Sequence, residues 1–154
     1  MTVDIICPLY NARNYIMDLH QNIKKQKNVK VLSINYVVTK TNDNIEEILE
    51  SLDCNYEMIE REEFSHSLTR ERMANKCKAD IIVFITQDVI IKSESWLKNL
   101  IKGIEENECE AAFSRQICTN STIEKYTRER NYPDKSYVKT KEDIRKMGIN
   151  AFFF

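Results

Sequence analysis

The chain has 154 residues, with 23 Lys+Arg and 24 Asp+Glu, so its formal net charge is −1. This balance argues against a protein whose main partner is nucleic acid, because binders of the phosphate backbone usually carry a clear basic excess. Hydrophobic residues make up 42% of the chain and charged residues 31%. That composition supports one packed core and excludes a disordered chain, and the length fits a single domain.

Cysteine, glycine and the amino terminus exclude further classes. The five cysteines are widely spaced and include no C-x-x-C pair, which argues against zinc and disulfide frameworks and favours reduced thiols in the cytoplasm. The two glycines, Gly103 and Gly148, cannot form a G-x-G-x-x-G motif or a P-loop. The start of the chain lacks the features of a signal peptide. The longest charge-free stretch, residues 31–39, is far below the roughly 20 residues of a membrane span.

Short apolar runs alternate with amphipathic stretches along the first hundred or so residues. The strongest run, residues 81–85, ends abruptly at Thr86, Gln87 and Asp88. This alternation predicts an α/β three-layer sandwich with a mostly parallel sheet covered on both faces. The predicted strands cover residues 3–7, 29–38, 56–59, 81–85 and 111–113. The first predicted helix is capped by Asn11. A later one is capped by Ser93 or Ser95 and extends to Ile104. The other predicted helices cover residues 45–49, 67–78, 121–130 and 141–147.

The chain ends in three aromatic residues, within residues 151–154. Such a segment is typical of a core strand, so we expect a single domain over residues 1–154 that is incomplete at its C-terminus. The alternative is that this tail folds back onto the sheet.

Ligands of open α/β sheets bind at the carboxyl ends of the strands. The turns at residues 8–11, 39–44 and 86–88 are therefore expected to converge on one edge. Asp88 follows a buried strand and offers a hard oxygen ligand suited to Mg²⁺ or Mn²⁺ that bridges a diphosphate. The alternative is that Asp88 caps the next turn.

His66 and Arg70 lie four residues apart at the start of a predicted helix, so they share one face. A guanidinium suits phosphate, and a nearby helix N-terminus also favours an anion. An ion pair between Arg70 and Glu62 or Glu63 is the alternative, and the pattern alone favours it. His20 lies mid-helix without a polar cluster and is interpreted as structural.

Four segments together resemble the family 2 glycosyltransferases of the GT-A fold, specifically the rhamnosyltransferase-like branch. Residues 7–11 read C-P-L-Y-N and match the P-x-Y-N that opens such domains. Residues 64–70 read F-S-H-S-L-T-R and look like the F-x-H-x-x-T-R signature of the branch. Residues 83–88 read V-F-I-T-Q-D, where other members write D-x-D. The remaining segments, up to residue 154, continue in the order of the branch.

The resemblance implies the roles of individual residues. Arg70 would approach the diphosphate of a nucleotide-sugar, and Asp88 would hold the divalent cation. Thr39 stands where many members carry an Asp that reads the base, and Asp43 is the later acidic position. The residues expected to bind the nucleotide-sugar are Pro8, Tyr10, Asn11, Thr39, Asp43, His66, Arg70, Gln87 and Asp88, and Arg115 and Gln116 are expected to face the sugar or acceptor.

The resemblance also implies the activity. The donor would be dTDP-rhamnose or a UDP-sugar, bound with Mg²⁺ or Mn²⁺, and the sugar would pass with inversion to a polysaccharide or a lipid-linked glycan. The general base is expected beyond residue 154, so this chain by itself would bind donor without transferring sugar. We expect a cytoplasmic location that allows peripheral association with the inner face of the membrane. The alternative is a non-catalytic α/β module, receiver-like or flavodoxin-like, or an interaction domain.

Overall fold

The computed structural model describes residues 1–118, 120–132 and 134–147. The expectation for residues 151–154 lies outside these ranges. The strands are β1 (Thr2–Leu9), β2 (Lys30–Thr39), β3 (Asn55–Ile59) and β4 (Ile81–Phe84). The helices are α1 (Ile16–Lys24), α2 (Glu46–Leu49), α3 (Leu68–Ala74), α4 (Trp96–Asn107), α5 (Ile123–Asn131) and α6 (Lys141–Met147), with a 3₁₀ turn at Arg61–Glu63.

The four strands form one parallel sheet in the order β3-β2-β1-β4. Ile5 of β1 lies beside Ile34 of β2 on one side and Val83 of β4 on the other. The apolar residues of β1 are almost fully buried because this strand is central and covered on both faces. The predicted α/β fold with a parallel sheet is therefore confirmed.

Helices cover both faces of the sheet. Tyr36 of β2 contacts His20 of α1, whereas the next residue, Val37, packs with Met73 of α3. Because successive side chains of a strand point to opposite faces, α1 and α3 lie on opposite sides of the sheet. This arrangement gives the three predicted layers.

A buried carboxylate attaches the turn before β4 to the start of β1. Asp4 accepts hydrogen bonds from the backbone N–H groups of Lys78 (2.8 Å) and Ala79 (3.0 Å) and from the hydroxyl of Ser33 (2.6 Å). Burial raises the pKa of Asp4, but these hydrogen bonds outweigh it and hold that pKa below its usual value. The ionised carboxylate therefore sets where β4 begins beside β1.

Three predicted local features were wrong. β1 continues through Pro8 to Leu9. The backbone nitrogen of Pro8, which carries no hydrogen, faces the side of β4. Because the β1–β4 pairing has already ended at Ile6, no ladder hydrogen bond is lost there. Asn11 adopts a left-handed backbone (φ 48°) and does not cap α1, which begins at Ile16 without a side-chain cap. Residues 111–113 form no strand in the described part of the chain.

The described residues divide into two compact units, one up to residue 99 and one from residue 100 onward. The first contains the sheet. In the second, Arg115 forms an ion pair with Asp134, and the Phe113 and Tyr132 rings meet edge to face with centroids 6.0 Å apart. The single domain over residues 1–154 stays a prediction. Of the helices in the described ranges, none has the length and apolar character needed to cross a membrane.

His20 is structural, as its position mid-helix predicts. It is buried on α1, and its Nδ1 lies 3.1 Å from the hydroxyl oxygen of Tyr36. Burial lowers the pKa of His20 below its usual value of 6.5, and the nearby charge of Lys24 lowers that pKa further. The folded protein therefore holds His20 neutral at a pH where the unfolded chain already protonates it.

We predict that the free energy of unfolding decreases as pH falls below about 6.5, because His20 then binds a proton in the unfolded chain but stays neutral in the folded protein. This contribution is fully present above that pH. His20→Gln should remove this part of the pH dependence and destabilise the protein by about 1 kcal/mol at neutral pH. Urea unfolding of both proteins between pH 5 and 8 measures it, and parallel curves would contradict the assignment.

Candidate functional site

A cavity of about 440 Å³ opens at the carboxyl ends of the strands. Its walls come from the ends of β1 and β2, from the loop between β3 and α3 with the first turn of α3, and from the turn after β4. The residues that line it are Pro8, Leu9, Tyr10, Thr39, Arg61, Phe64, His66, Arg70, Thr86 and Gln87.

Tyr10 and Arg61 form one wall of the cavity. The guanidinium carbon of Arg61 lies 5.9 Å from the centroid of the Tyr10 ring, which is within cation–π distance. Arg61 starts the 3₁₀ turn, whose entry is fixed because the backbone N–H of Glu60 donates to Glu63 Oε2 at 2.7 Å. Tyr10 itself is 46% exposed, so part of its side chain is accessible to a ligand.

Arg70 and His66 lie together in the cavity, as their spacing predicts. Arg70 Nη1 donates to the backbone carbonyl oxygen of His66 at 2.7 Å. The His66 ring meets Phe64 edge to face, with centroids 5.0 Å apart, and Phe64 packs against the core cluster of α3 and the sheet. Among the ion pairs of the described residues none involves Arg70, so the alternative ion pair with Glu62 or Glu63 is not formed.

The charge of the cavity favours an anion. Two guanidiniums, those of Arg61 and Arg70, line it, and its described lining residues include no Asp or Glu. Guanidinium groups present donors in a fork that matches phosphate oxygens. The arrangement suits a ligand with a diphosphate and an aromatic base.

Cys7 precedes the cavity residue Pro8 and is fully buried. Burial raises the pKa of the Cys7 thiol to about 12, although the charge of Arg70 lowers it and that of Asp88 raises it. The thiol therefore stays protonated and does not act as a nucleophile. Arg70 lines the cavity and Asp88 follows the end of β4 by four residues, so both lie at the carboxyl edge of the sheet.

Six of the nine residues predicted to bind the nucleotide-sugar line the cavity, and Asn11, Asp43 and Asp88 do not. The carboxylate of Asp43 instead accepts from the backbone N–H of Arg13 (3.3 Å) and from the hydroxyl of Thr41 (2.7 Å). Arg13 also donates to the carbonyl oxygens of Asp43 and Asn44. Asp43 thus holds two loops together at this edge.

Arg115 and Gln116 belong to the second unit. Arg115 pairs there with Asp134, and Gln116 accepts a hydrogen bond from Arg128. Their contact with sugar or acceptor stays a prediction.

The sequence interpretation missed Arg61 and did not place Leu9, Phe64 or Thr86 in the binding set. Arg61 follows Ile59, the last residue of β3, by two positions. The expectation that ligands bind at the carboxyl ends of the strands could therefore have identified it. The charged neighbours on both sides of Arg61 made it look like part of a solvated loop. Leu9 and Thr86 adjoin predicted site residues at the ends of β1 and β4.

A divalent cation at the carboxyl edge of the sheet would need oxygen ligands from a bound diphosphate in addition to those of the protein. Within the described ranges no group of three or more His, Cys, Asp or Glu side chains could hold a metal. Asp88 is exposed beside the cavity, and Mg²⁺ is commonly held by one or two carboxylates plus the phosphates of a substrate. Asp88 is therefore suited to a cation that arrives with a diphosphate.

Residues 4–154 match the model of the family described as glycosyl transferase family 2. The chain belongs to this family. The segments that carry the family resemblance in the sequence include the residues that form the cavity wall at the ends of β1 and β4. The predicted family is thereby confirmed.

Two curated proteins are similar to this chain over nearly its whole length. The O-antigen chain rhamnosyltransferase RfbN of Salmonella typhimurium is 30% identical over 159 residues, which covers 99% of this chain and 50% of that protein. The chain spans about half the length of the curated relatives it matches.

Solved structures share the fold. S. aureus TarS 1–349 in complex with UDP has a TM-score of 0.59 at 22% identity, over 70% of this chain and 33% of that one. Glucosyl-3-phosphoglycerate synthase from Mycobacterium tuberculosis, in complex with Mn²⁺, UDP and glucosyl-3-phosphoglycerate, has a TM-score of 0.53 at 17% identity, over 67% and 39%. At these identities the likeness shows the fold alone.

The cavity predicts binding of inorganic pyrophosphate that weakens as salt is added. Arg61→Ala and Arg70→Ala should each reduce the affinity about tenfold, because each removes a charge-assisted contact. Calorimetry at two ionic strengths measures this. Arg72→Ala is the matched control, since Arg72 pairs with Glu57 and does not line the cavity. Equal affinities for parent, Arg61→Ala and Arg70→Ala would contradict an anion site in this cavity.

Proposed function

We propose that this chain binds the nucleotide-diphospho-sugar donor of a glycosyltransferase, of the dTDP-rhamnose or UDP-sugar class. The observation that carries the proposal is the cavity at the carboxyl edge of a family 2 sheet, where an exposed aromatic ring and two guanidiniums lie together without a lining carboxylate. The relatives support the class, since one is named a rhamnosyltransferase and a fold neighbour was solved with UDP.

Each part of the donor has a chemically suited partner in this proposal. The Tyr10 ring offers a flat apolar surface on which the base stacks. Arg70, fixed by the His66 carbonyl, and Arg61 bind the two phosphates. Thr39, at the end of β2, supplies a hydroxyl to the nucleoside. The guanidiniums stabilise the charge that grows on the diphosphate as the bond to the sugar breaks.

Asp88 would hold a divalent cation, Mg²⁺ or Mn²⁺, on the diphosphate. The cation, when bound, supplies positive charge that makes the nucleoside diphosphate a better leaving group without protonation. The exposed position of Asp88 and its shared edge with Arg70 support this role. A fold neighbour solved with Mn²⁺ and UDP is consistent with it.

The rest of the reaction is proposed for the whole protein. The sugar passes with inversion to a polysaccharide or lipid-linked glycan in the cytoplasm, at the inner face of the membrane. The family resemblance supports inversion, and the O-antigen relative supports a glycan acceptor.

Asp88→Asn should abolish the part of UDP affinity that depends on Mn²⁺, because an amide lacks the charge that a hard cation requires. In the parent we expect Mn²⁺ to raise UDP affinity about tenfold, or by about 1.4 kcal/mol. In the variant we expect equal affinities with and without the metal. Calorimetry with UDP, and separately dTDP, measures both.

The matched control is Asp18→Asn, an exposed carboxylate on α1, which should behave like the parent. A Mn²⁺ effect of equal size in Asp88→Asn would return Asp88 to a capping role. If the parent bound neither UDP nor dTDP, the proposed donor site would be wrong and an interaction domain would be favoured.

A further inference from the structure

Gln87 lines the cavity, and its side chain is bonded to the backbone of Tyr10. Tyr10 N–H donates to Gln87 Oε1 at 2.7 Å, and Gln87 Nε2 donates to the carbonyl oxygen of Tyr10 at 2.8 Å. The two residues are 77 positions apart in sequence. One amide thus satisfies both backbone polar groups of one residue, Tyr10, and only this orientation of the amide satisfies both.

These two bonds continue the β1–β4 pairing where the strands separate. Regular pairing ends at Ile6 and Phe84, followed by one bond from the Ile85 N–H to the Ile6 carbonyl oxygen at 3.0 Å. Alternate residues of β1 direct their backbone groups toward β4. Pro8, next on that side, has no N–H, and Tyr10 follows. The Gln87 amide therefore stands in for a strand residue at the last position of this series.

Tyr10 requires such support because the chain turns away directly after it. Asn11 has a left-handed backbone with φ of 48°. Among the described ring contacts, the Tyr10 ring contacts Arg61 alone. Without the Gln87 amide, the Tyr10 backbone would exchange its two bonds for water. The ring would then lose its fixed place in the cavity wall.

We propose that Gln87 is a positioning residue, which fixes the Tyr10 backbone and so prepares the aromatic wall of the cavity before a ligand binds. We expect its effect on affinity to be exerted through Tyr10, because its amide oxygen and one of its N–H groups are bonded to the Tyr10 backbone. The part of the proposal that concerns ligand affinity rests on the proposed function. Preorganisation of this kind reduces the ordering that a ligand must otherwise impose.

Gln87→Met tests this, because methionine keeps the length and volume of the side chain but lacks the amide. Hydrogen exchange of the Tyr10 amide, followed by ¹H–¹⁵N NMR without ligand, should become about tenfold faster. Exchange at Ile6 and Val37, deep in the sheet, should be unchanged. The affinity for UDP should fall about tenfold. Gln87→Ala should act in the same direction, and Gln21→Met, on the exposed face of α1, should match the parent.

Two results would overturn the proposal. If UDP affinity fell while Tyr10 exchange stayed slow, Gln87 would contact the ligand directly. If Tyr10 exchange became fast while UDP affinity stayed the same, the two hydrogen bonds would not prepare the cavity. Failure of the parent to bind UDP would contradict the proposed function alone, since the exchange of Tyr10 in the ligand-free protein decides separately whether Gln87 positions it.

Discussion

The parallel pairing of β1 between β2 and β4 is the constraint on which the site depends. It brings the carboxyl ends of three strands to one edge, so that Tyr10, Thr39 and Gln87 line one cavity although they are far apart in sequence. A buried Asp4 carboxylate fixes where β4 starts, and its hydrogen bonds outweigh the cost of its burial. Disturbing this pairing would move every wall of the cavity at once.

Much of the fold could be predicted because its signals are local. The apolar run at residues 81–85 and the alternation of strands with amphipathic helices indicate a parallel sheet, and the sheet in turn indicates its carboxyl edge. The left-handed Asn11 could not be distinguished from a helix cap, since asparagine is favoured in both positions. Residues 111–113 are apolar, but no neighbouring strand pairs with them in the described part of the chain.

The candidate site was less predictable, because it depends on contacts between distant segments. Arg61, for example, contacts the ring of Tyr10, a residue far from it in sequence. The sequence predicts that Asp43 binds the nucleotide-sugar, whereas its carboxylate accepts hydrogen bonds from Arg13 and Thr41. A sequence motif thus indicates which residues lie near a site, whereas hydrogen-bond geometry distinguishes those that are open to a ligand from those that hold the loops.

Gln87 illustrates the same distinction within one motif. Its neighbour Asp88 is exposed, and we propose that it holds a cation, while the amide of Gln87 is bonded to the Tyr10 backbone. In this account the T-Q-D turn has two functions, one toward the ligand and one toward the opposite loop. The division explains why a neutral amide with a donor and an acceptor suits position 87, where a carboxylate would face the Tyr10 carbonyl oxygen without a proton to donate.

The most direct test of the account is a titration of the ¹⁵N-labelled chain with UDP, in which the shifted backbone amides are mapped onto the sheet. A nucleotide site at the carboxyl edge predicts that the largest shifts occur at the cavity, at Tyr10, Arg61, Arg70 and Thr86. Shifts confined to another surface, such as the crevice between Gln26 and Glu94, or no shifts at millimolar UDP, would contradict a nucleotide site at the carboxyl edge.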